Sequence, residues 1–193
     1  DACDTLGMYV MDETFDMWRI KKNPYDFGGN TFEAWWKDDT AAMISKDYNH
    51  PSVVMYSIGN EITDLGLPDG QALARTMVDF CHGLDRTRPV TAGINLMLAM
   101  MAGSKKSIYG TDADGKVKDN GAGGMDNMPT SEFFNIMMNK MGSIINRIAS
   151  SKKANAVAEV MTTIFDIPGY NYASSRYEKD AQNHPDQATT GSE

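Results

Sequence analysis

The feature that most constrains the fold is an alternation repeated along the chain. Short apolar runs are each stopped abruptly by polar residues and separated by stretches with helical spacing. Met8-Tyr-Val-Met11 is closed by Asp12-Glu13, and Ser52-Val-Val-Met-Tyr-Ser-Ile58 by Gly59-Asn60-Glu61. Pro89-Val-Thr-Ala92 is a third short strand, a fourth lies within Phe165 to Tyr172 and a fifth within Ala188 to Glu193. Runs this short, rich in β-branched residues and bounded by turn formers, read as buried strands. Strands are expected at residues 8–11, 53–58, 89–92, about 166–170 and 188–192.

Between them lie helical patterns. From Asn30, residues Phe32, Trp35, Trp36, Met43 and Ile44 fall near 3.6 spacing, and Asn30-x-x-Glu33 has the form of a capping box. Both tryptophans are expected in the core. The helix ends before Asn49-His50-Pro51, because proline restricts the residue preceding it. Leu73, Met77, Phe80, Cys81 and Leu84 mark a second amphipathic helix. Strands alternating with helices imply a parallel sheet, and buried strands that end in polar groups suit a barrel whose site lies at the strands' C-terminal face. The expected class is α/β.

Residues 96–151 break the pattern with Met-rich, Gly-rich and charged text, and are expected to be a long insertion whose segment 110–124 is the most exposed or mobile. Asp112-Ala-Asp114-Gly115 has the start of a calcium loop, but glycines stand where the bidentate acid belongs, so a solvated loop is the reading. The methionines at 125, 128, 137, 138 and 141 read as packing residues.

A net charge of -8 argues against nucleic acid or an anionic membrane surface as partner, since both would be repelled. Cys3 and Cys81 have no ligand or disulfide spacing and read as small core residues. No apolar run approaches the roughly 18 residues of a membrane span. The chain opens at Asp1 inside a helical run, so it reads as part of a longer protein, with cytoplasmic and secreted locations both open.

Two opposed carboxylates on converging elements are what hydrolysis of a glycosidic bond with retention requires. Glu61 and Glu193 each directly follow a strand-like run, which in a barrel places both at the rim. Any of the 26 acidic residues could lie near a strand end, so position alone is a modest signal.

The surrounding residues carry more. The segments from Asp1 to Trp18, Asn49-His-Pro-Ser to Gly59-Asn-Glu61, Leu84-Asp-Arg-Thr-Arg-Pro-Val-Thr91, Gly169-Tyr-Asn-Tyr172 and Gly191-Ser-Glu193 resemble family 2 glycoside hydrolases, most closely bacterial β-galactosidases. The resemblance implies a (β/α)8 TIM barrel that is incomplete here, running from strand 3 to strand 7 with strands 1, 2 and 8 outside the chain. It implies residues 1–193 as the central part of one catalytic domain, flanked in the parent chain by β-sandwich domains.

It also implies Glu61 as general acid/base and Glu193 as nucleophile, with a carboxyl separation of roughly 5–5.5 Å. Asn60 would contact the sugar 2-hydroxyl, and Tyr172 would donate its hydroxyl to the nucleophile. Asp16 and Asn171 are candidate sugar contacts, and Trp18 is either a stacking platform for a pyranose face or a core residue. No organic cofactor and no metal are implied, since the further Glu and His of a metal-type pattern do not follow Asp12-Glu13. A β-galactoside is the expected substrate, with a β-glucuronide or β-mannoside, or a non-catalytic carbohydrate-binding barrel, as alternatives.

Overall fold

The computed structural model describes residues 1–22, 26–102 and 147–192. In chain order these contain α1 (Ala2–Leu6), β1 (Val10–Glu13), α2 (Asn30–Asp47), β2 (Val53–Asn60), α3 (Pro68–Leu84), β3 (Val90–Ile94), α4 (Leu96–Met101), α5 (Lys152–Thr162), β4 (Gly169–Tyr170), α6 (Tyr177–Asn183) and β5 (Thr190–Gly191). Short 3-10 turns at Thr63–Gly66 and Ser174–Arg176 complete them.

The strands form one sheet in chain order, and every neighbouring pair is parallel. This is the expected arrangement, five consecutive strands of a (β/α)8 barrel with their helices outside, except that β1 begins at Val10 and takes in Asp12 and Glu13, while Met8 and Tyr9 are exposed. Register runs Tyr56 to Val90, Gly93 to Gly169 and Tyr170 to Gly191, so the polar ends of all five strands gather on one rim. Glu61 lies just beyond the C-terminal end of β2. All five residues of β3 are buried, as a strand covered on both faces requires.

The helices cover the outer face. Helix α3 buries Leu73, Ala74, Met77, Val78 and Cys81, with Pro68 at its first turn where a missing N–H costs nothing. Helix α2 buries Phe32, Trp36, Thr40, Met43 and Ile44. Three details differ from the sequence reading. Trp35 stands 57% exposed, because one residue is a rotation of about 100° and carries it off the stripe that Trp36 occupies. The capping box does not form: Gly29, at φ 66, is the N-cap and Glu33 pairs with Arg19 instead. Cys81 is fully buried, whereas Cys3 is only half-buried.

The opposite rim is stapled by charge. Asp85 is buried and accepts hydrogen bonds from Thr87 N (2.8 Å) and Oγ1 (2.6 Å), Arg88 Nη1 (2.6 Å) and Tyr56 Oη (3.0 Å). Arg88 also donates to the carbonyls of Val53 (2.6 Å), Tyr48 (3.2 Å) and His50 (3.0 Å), tying β3 to the turn that leads into β2. Burial pushes the Asp85 carboxyl up, but the hydrogen bonds from Thr87, Arg88 and Tyr56 outweigh it and leave it at about 2. Beside this cluster, Asp4 of α1 receives Ser52 N at 2.9 Å and lies 2.6 Å from His50 Nδ1, so those partners hold its carboxyl well below the usual range. His50 is thus a structural residue at the base.

Residues 103–146 and Glu193 lie outside the described residues. With them go the expected mobility of 110–124, the roles of Asp112 and Asp114, the packing of the methionines from 125 to 141, and the carboxyl separation between Glu61 and Glu193.

Candidate functional site

The polar rim is built where β2, β3, β4 and β5 end together. Gly59 opens it: a Cβ there would come within 2.6 Å of Ile62 Cγ1 and 3.0 Å of Trp18 Nε1, so the chain can pass only without a side chain. Asn60 and Glu61 follow. The peptide joining them is tied at both ends, since Glu61 N donates to the Gly93 carbonyl at 2.6 Å and the Asn60 carbonyl accepts from Lys22 Nζ at 2.9 Å.

Between those ties the Glu61 backbone takes φ 51, the left-handed region. The second non-glycine residue with positive φ among the described residues is Tyr172, at φ 55. Such a conformation costs a long side chain on the order of 1 kcal/mol, persists only where its surroundings over-determine it, and concentrates at functional sites. Both residues lie at C-terminal ends of strands, β2 and β4.

The Glu61 carboxylate is held as well. Asn95 Nδ2 donates to Glu61 Oε1 at 2.7 Å. The Asn95 amide cannot turn over freely, because its oxygen caps α4 through Met97 N (3.1 Å) and Leu98 N (3.3 Å), leaving the NH₂ group aimed at Glu61.

A chain of side-chain hydrogen bonds crosses the rim in one direction. Ser192 Oγ donates to Asn171 Oδ1 (2.5 Å), Asn171 Nδ2 to Asn60 Oδ1 (2.9 Å), and Asn60 Nδ2 toward Asp16 Oδ1 (3.5 Å), which also accepts from Lys22 Nζ (2.8 Å). Gly93 makes room for it: a Cβ there would lie 2.6 Å from Asn60 Oδ1 and 3.1 Å from Asn171 Oδ1.

The structure therefore brings together Asn60, Glu61, Asn171 and Asp16 from the sequence reading, with Tyr172 at the end of β4. Asn171 is buried and its amide engages its neighbours, so it orients Asn60; Asp16 is open, its side chain 64% exposed. For Trp18 the structure excludes the stacking platform and leaves the core reading. It is fully buried, stacked against Phe32 at 6.0 Å between centroids, and its Nε1 donates to the Ile58 carbonyl at 2.9 Å. The ring serves as a core wedge behind the site, because its hydrogen-bonding edge is drawn to the strand and away from solvent.

Lys22, Gly93, Asn95 and Ser192 were not singled out by sequence reasoning. Asn95 had a legible signal, an N-capping residue directly after a strand; Lys22 had none, as its partners come from distant residues.

A family model described as glycosyl hydrolases family 2, TIM barrel domain, matches residues 1–120. Among curated relatives, β-galactosidase BoGH2A of Bacteroides ovatus is 38% identical over 49% of this chain, and a putative β-glucuronidase of Formosa agariphila is 43% identical over 48%. The chain spans only 15% and 8% of those two proteins' lengths. A solved structure of a glycosyl hydrolase family 2 member from Bacteroides cellulosilyticus superimposes on 99% of the chain with TM-score 0.64 and 31% identity, this chain covering 17% of it.

Proposed function

We propose, from the premise that the chain belongs to glycosyl hydrolase family 2 as part of its TIM barrel domain, that its parent protein is a retaining β-glycosidase with Glu61 as acid/base. The observation that carries this reading is the left-handed backbone of Glu61, tied at both peptide ends and aimed by Asn95. A fold stores strain of this kind in a carboxylate whose direction matters.

In the first step Glu61, protonated, gives its proton to the aglycone oxygen as the glycosidic bond breaks, while Glu193 attacks the anomeric carbon and forms a covalent glycosyl-enzyme. In the second, Glu61 as carboxylate takes a proton from water, which displaces Glu193. Asn60 contacts the sugar 2-hydroxyl, its amide oriented by Asn171 and Asp16. Tyr172 donates its hydroxyl to Glu193 and keeps it ionised. Asp16 offers an open carboxylate to a sugar hydroxyl.

The glycone is read as β-galactose. The curated relatives include a named β-galactosidase and a putative β-glucuronidase. The buried cation of the rim, Lys22, is paired with Asp16, an arrangement that suits an uncharged sugar better than a uronate. The missing barrel strands and flanking β-sandwich domains are taken to come from the rest of the parent chain.

The test is turnover by the full-length protein of 4-nitrophenyl β-D-galactoside, β-D-glucuronide and β-D-mannoside, with the first-formed anomer followed by proton NMR. Release of the β-anomer from the galactoside is expected. An α-anomer would remove the retaining mechanism, faster turnover of the glucuronide would replace the sugar, and inertness toward all three would leave the carbohydrate-binding alternative.

A further inference from the structure

Lys22 is 5% exposed, an unusual place for an ammonium group, which leaves water at a high cost unless partners replace it. Its partners are specific. Nζ donates to Asp16 Oδ1 at 2.8 Å and to the Asn60 carbonyl at 2.9 Å, and the Lys22 backbone N–H is fixed by Asp26 Oδ2 at 2.9 Å. The loop after β1 therefore sends one cation 38 residues along the sequence, to the end of β2.

The group it reaches is the carbonyl of the Asn60–Glu61 peptide, whose N–H is already bound to the Gly93 carbonyl at 2.6 Å. A peptide is planar, so fixing its oxygen and its N–H fixes its orientation. That orientation sets φ of the next residue, Glu61, at 51. Without the Lys22 contact one end of the plane is released, and Glu61 can relax toward the ordinary region, swinging its carboxyl away from the rim.

We propose that Lys22 is a positioning residue for Glu61, holding the Asn60–Glu61 peptide so that the acid proton meets the aglycone oxygen. This rests on the reading of Glu61 as acid/base. Asp16 then has a second task, anchoring the Lys22 ammonium. Lys22 itself needs no contact with the sugar.

Positioning an acid and maintaining a fold leave different signatures. A misplaced acid slows departure of a poor leaving group and hardly affects one that leaves unprotonated. The experiment compares phenyl and 2,4-dinitrophenyl β-D-galactoside, or the same pair built on whichever glycone the full-length protein accepts, for Lys22→Met. The phenyl glycoside should lose at least about tenfold in kcat/KM, and the dinitrophenyl glycoside less than about threefold. Added to Glu61→Ala, the Lys22→Met change should cost less than about twofold further on the phenyl glycoside, since a residue acting through Glu61 has nothing left to act on.

Equal losses on both substrates, or full additivity with Glu61→Ala, would overturn the proposal. If Lys22→Met does not fold, Asp26→Ala, which frees the Lys22 backbone N–H and lies outside the residues assigned to the sugar, is read in the same way: the same substrate-selective loss is expected of it, with a uniform loss counting against the proposal. A wild-type protein inert on every glycoside would instead sink the functional reading, a separate outcome.

Discussion

The two rims of the sheet use the same kinds of residue to opposite ends. At the base, Asp85, Arg88 and Tyr56 form a buried cluster, and Asp4 joins His50 to Ser52; each charge has a partner, and together they hold the turns that feed the strands. At the polar rim, Lys22 and Asn171 donate to Asn60 and Asn95 donates to Glu61, in backbone that includes two left-handed residues. The upper rim keeps one carboxylate in an unfavourable pose, which is the behaviour of a site.

The contrast can be broken most sharply at Glu61. Glu61→Gln in the full-length protein is expected to lower kcat/KM on a phenyl glycoside by about 10²–10⁴-fold, the usual worth of general acid catalysis, with little change in thermal midpoint. A large loss of stability with modest loss of activity would reverse the two rims. Asp85→Ala should show the mirror image: removing one partner of a buried charge cluster costs about 3–5 kcal/mol, measured by denaturant unfolding, with equal effect on good and poor leaving groups.

Tyr172→Phe sharpens the comparison on the upper rim. A hydrogen bond to a charged group is worth about 1.5–3 kcal/mol, so a fall in turnover of roughly 10- to 100-fold is expected, checked by steady-state kinetics on the dinitrophenyl glycoside. Unchanged turnover would detach Tyr172 from the nucleophile.

Acid titration separates the rims by another route. The Asp85 carboxyl is depressed from 3.8 to about 2 in the folded state, so its contribution is complete above its unfolded value and is lost as pH falls through the window between them. Unfolding free energy should drop across that window in the wild type, and its slope should flatten in Asp85→Asn. The smallest effect concerns strain. Glu61→Asn, whose short side chain tolerates the left-handed region, should raise stability by about 0.5–1 kcal/mol while activity disappears. A stability loss there would mean that Glu61 is not strained.

Much of this was legible in the chain. Parallel strands covered on both faces must be short and apolar, and they must stop where polar chemistry begins. That is why Val53 to Ile58 followed by Gly59-Asn60-Glu61 announced both a strand and a candidate site. The helical stripe through Phe32, Trp36, Met43 and Ile44 was legible by the same logic of period.

Single positions at the margins of a stripe were not. Trp35 and Trp36 look alike to a composition count, and only the packing of α2 on the sheet turns one out and the other in. For Trp18 the sequence left a sugar platform and a core position equally open; its Nε1 bond to Ile58 and its burial decide for the core.

By itself, then, the sequence determined the order of strands and helices, the parallel sheet and the rim at which Glu61 stands, because each follows from local period and from where apolar runs end; Asn60 and Tyr172 were marked by the family resemblance. Tertiary structure alone decided which groups hold Glu61 in place. The contacts of Lys22 with Asn60, Asn95 with Glu61 and Asn171 with Asn60 join residues 38, 34 and 111 positions apart. They exist only because parallel strands bring distant strand ends to one rim, a distance relation that no local pattern encodes.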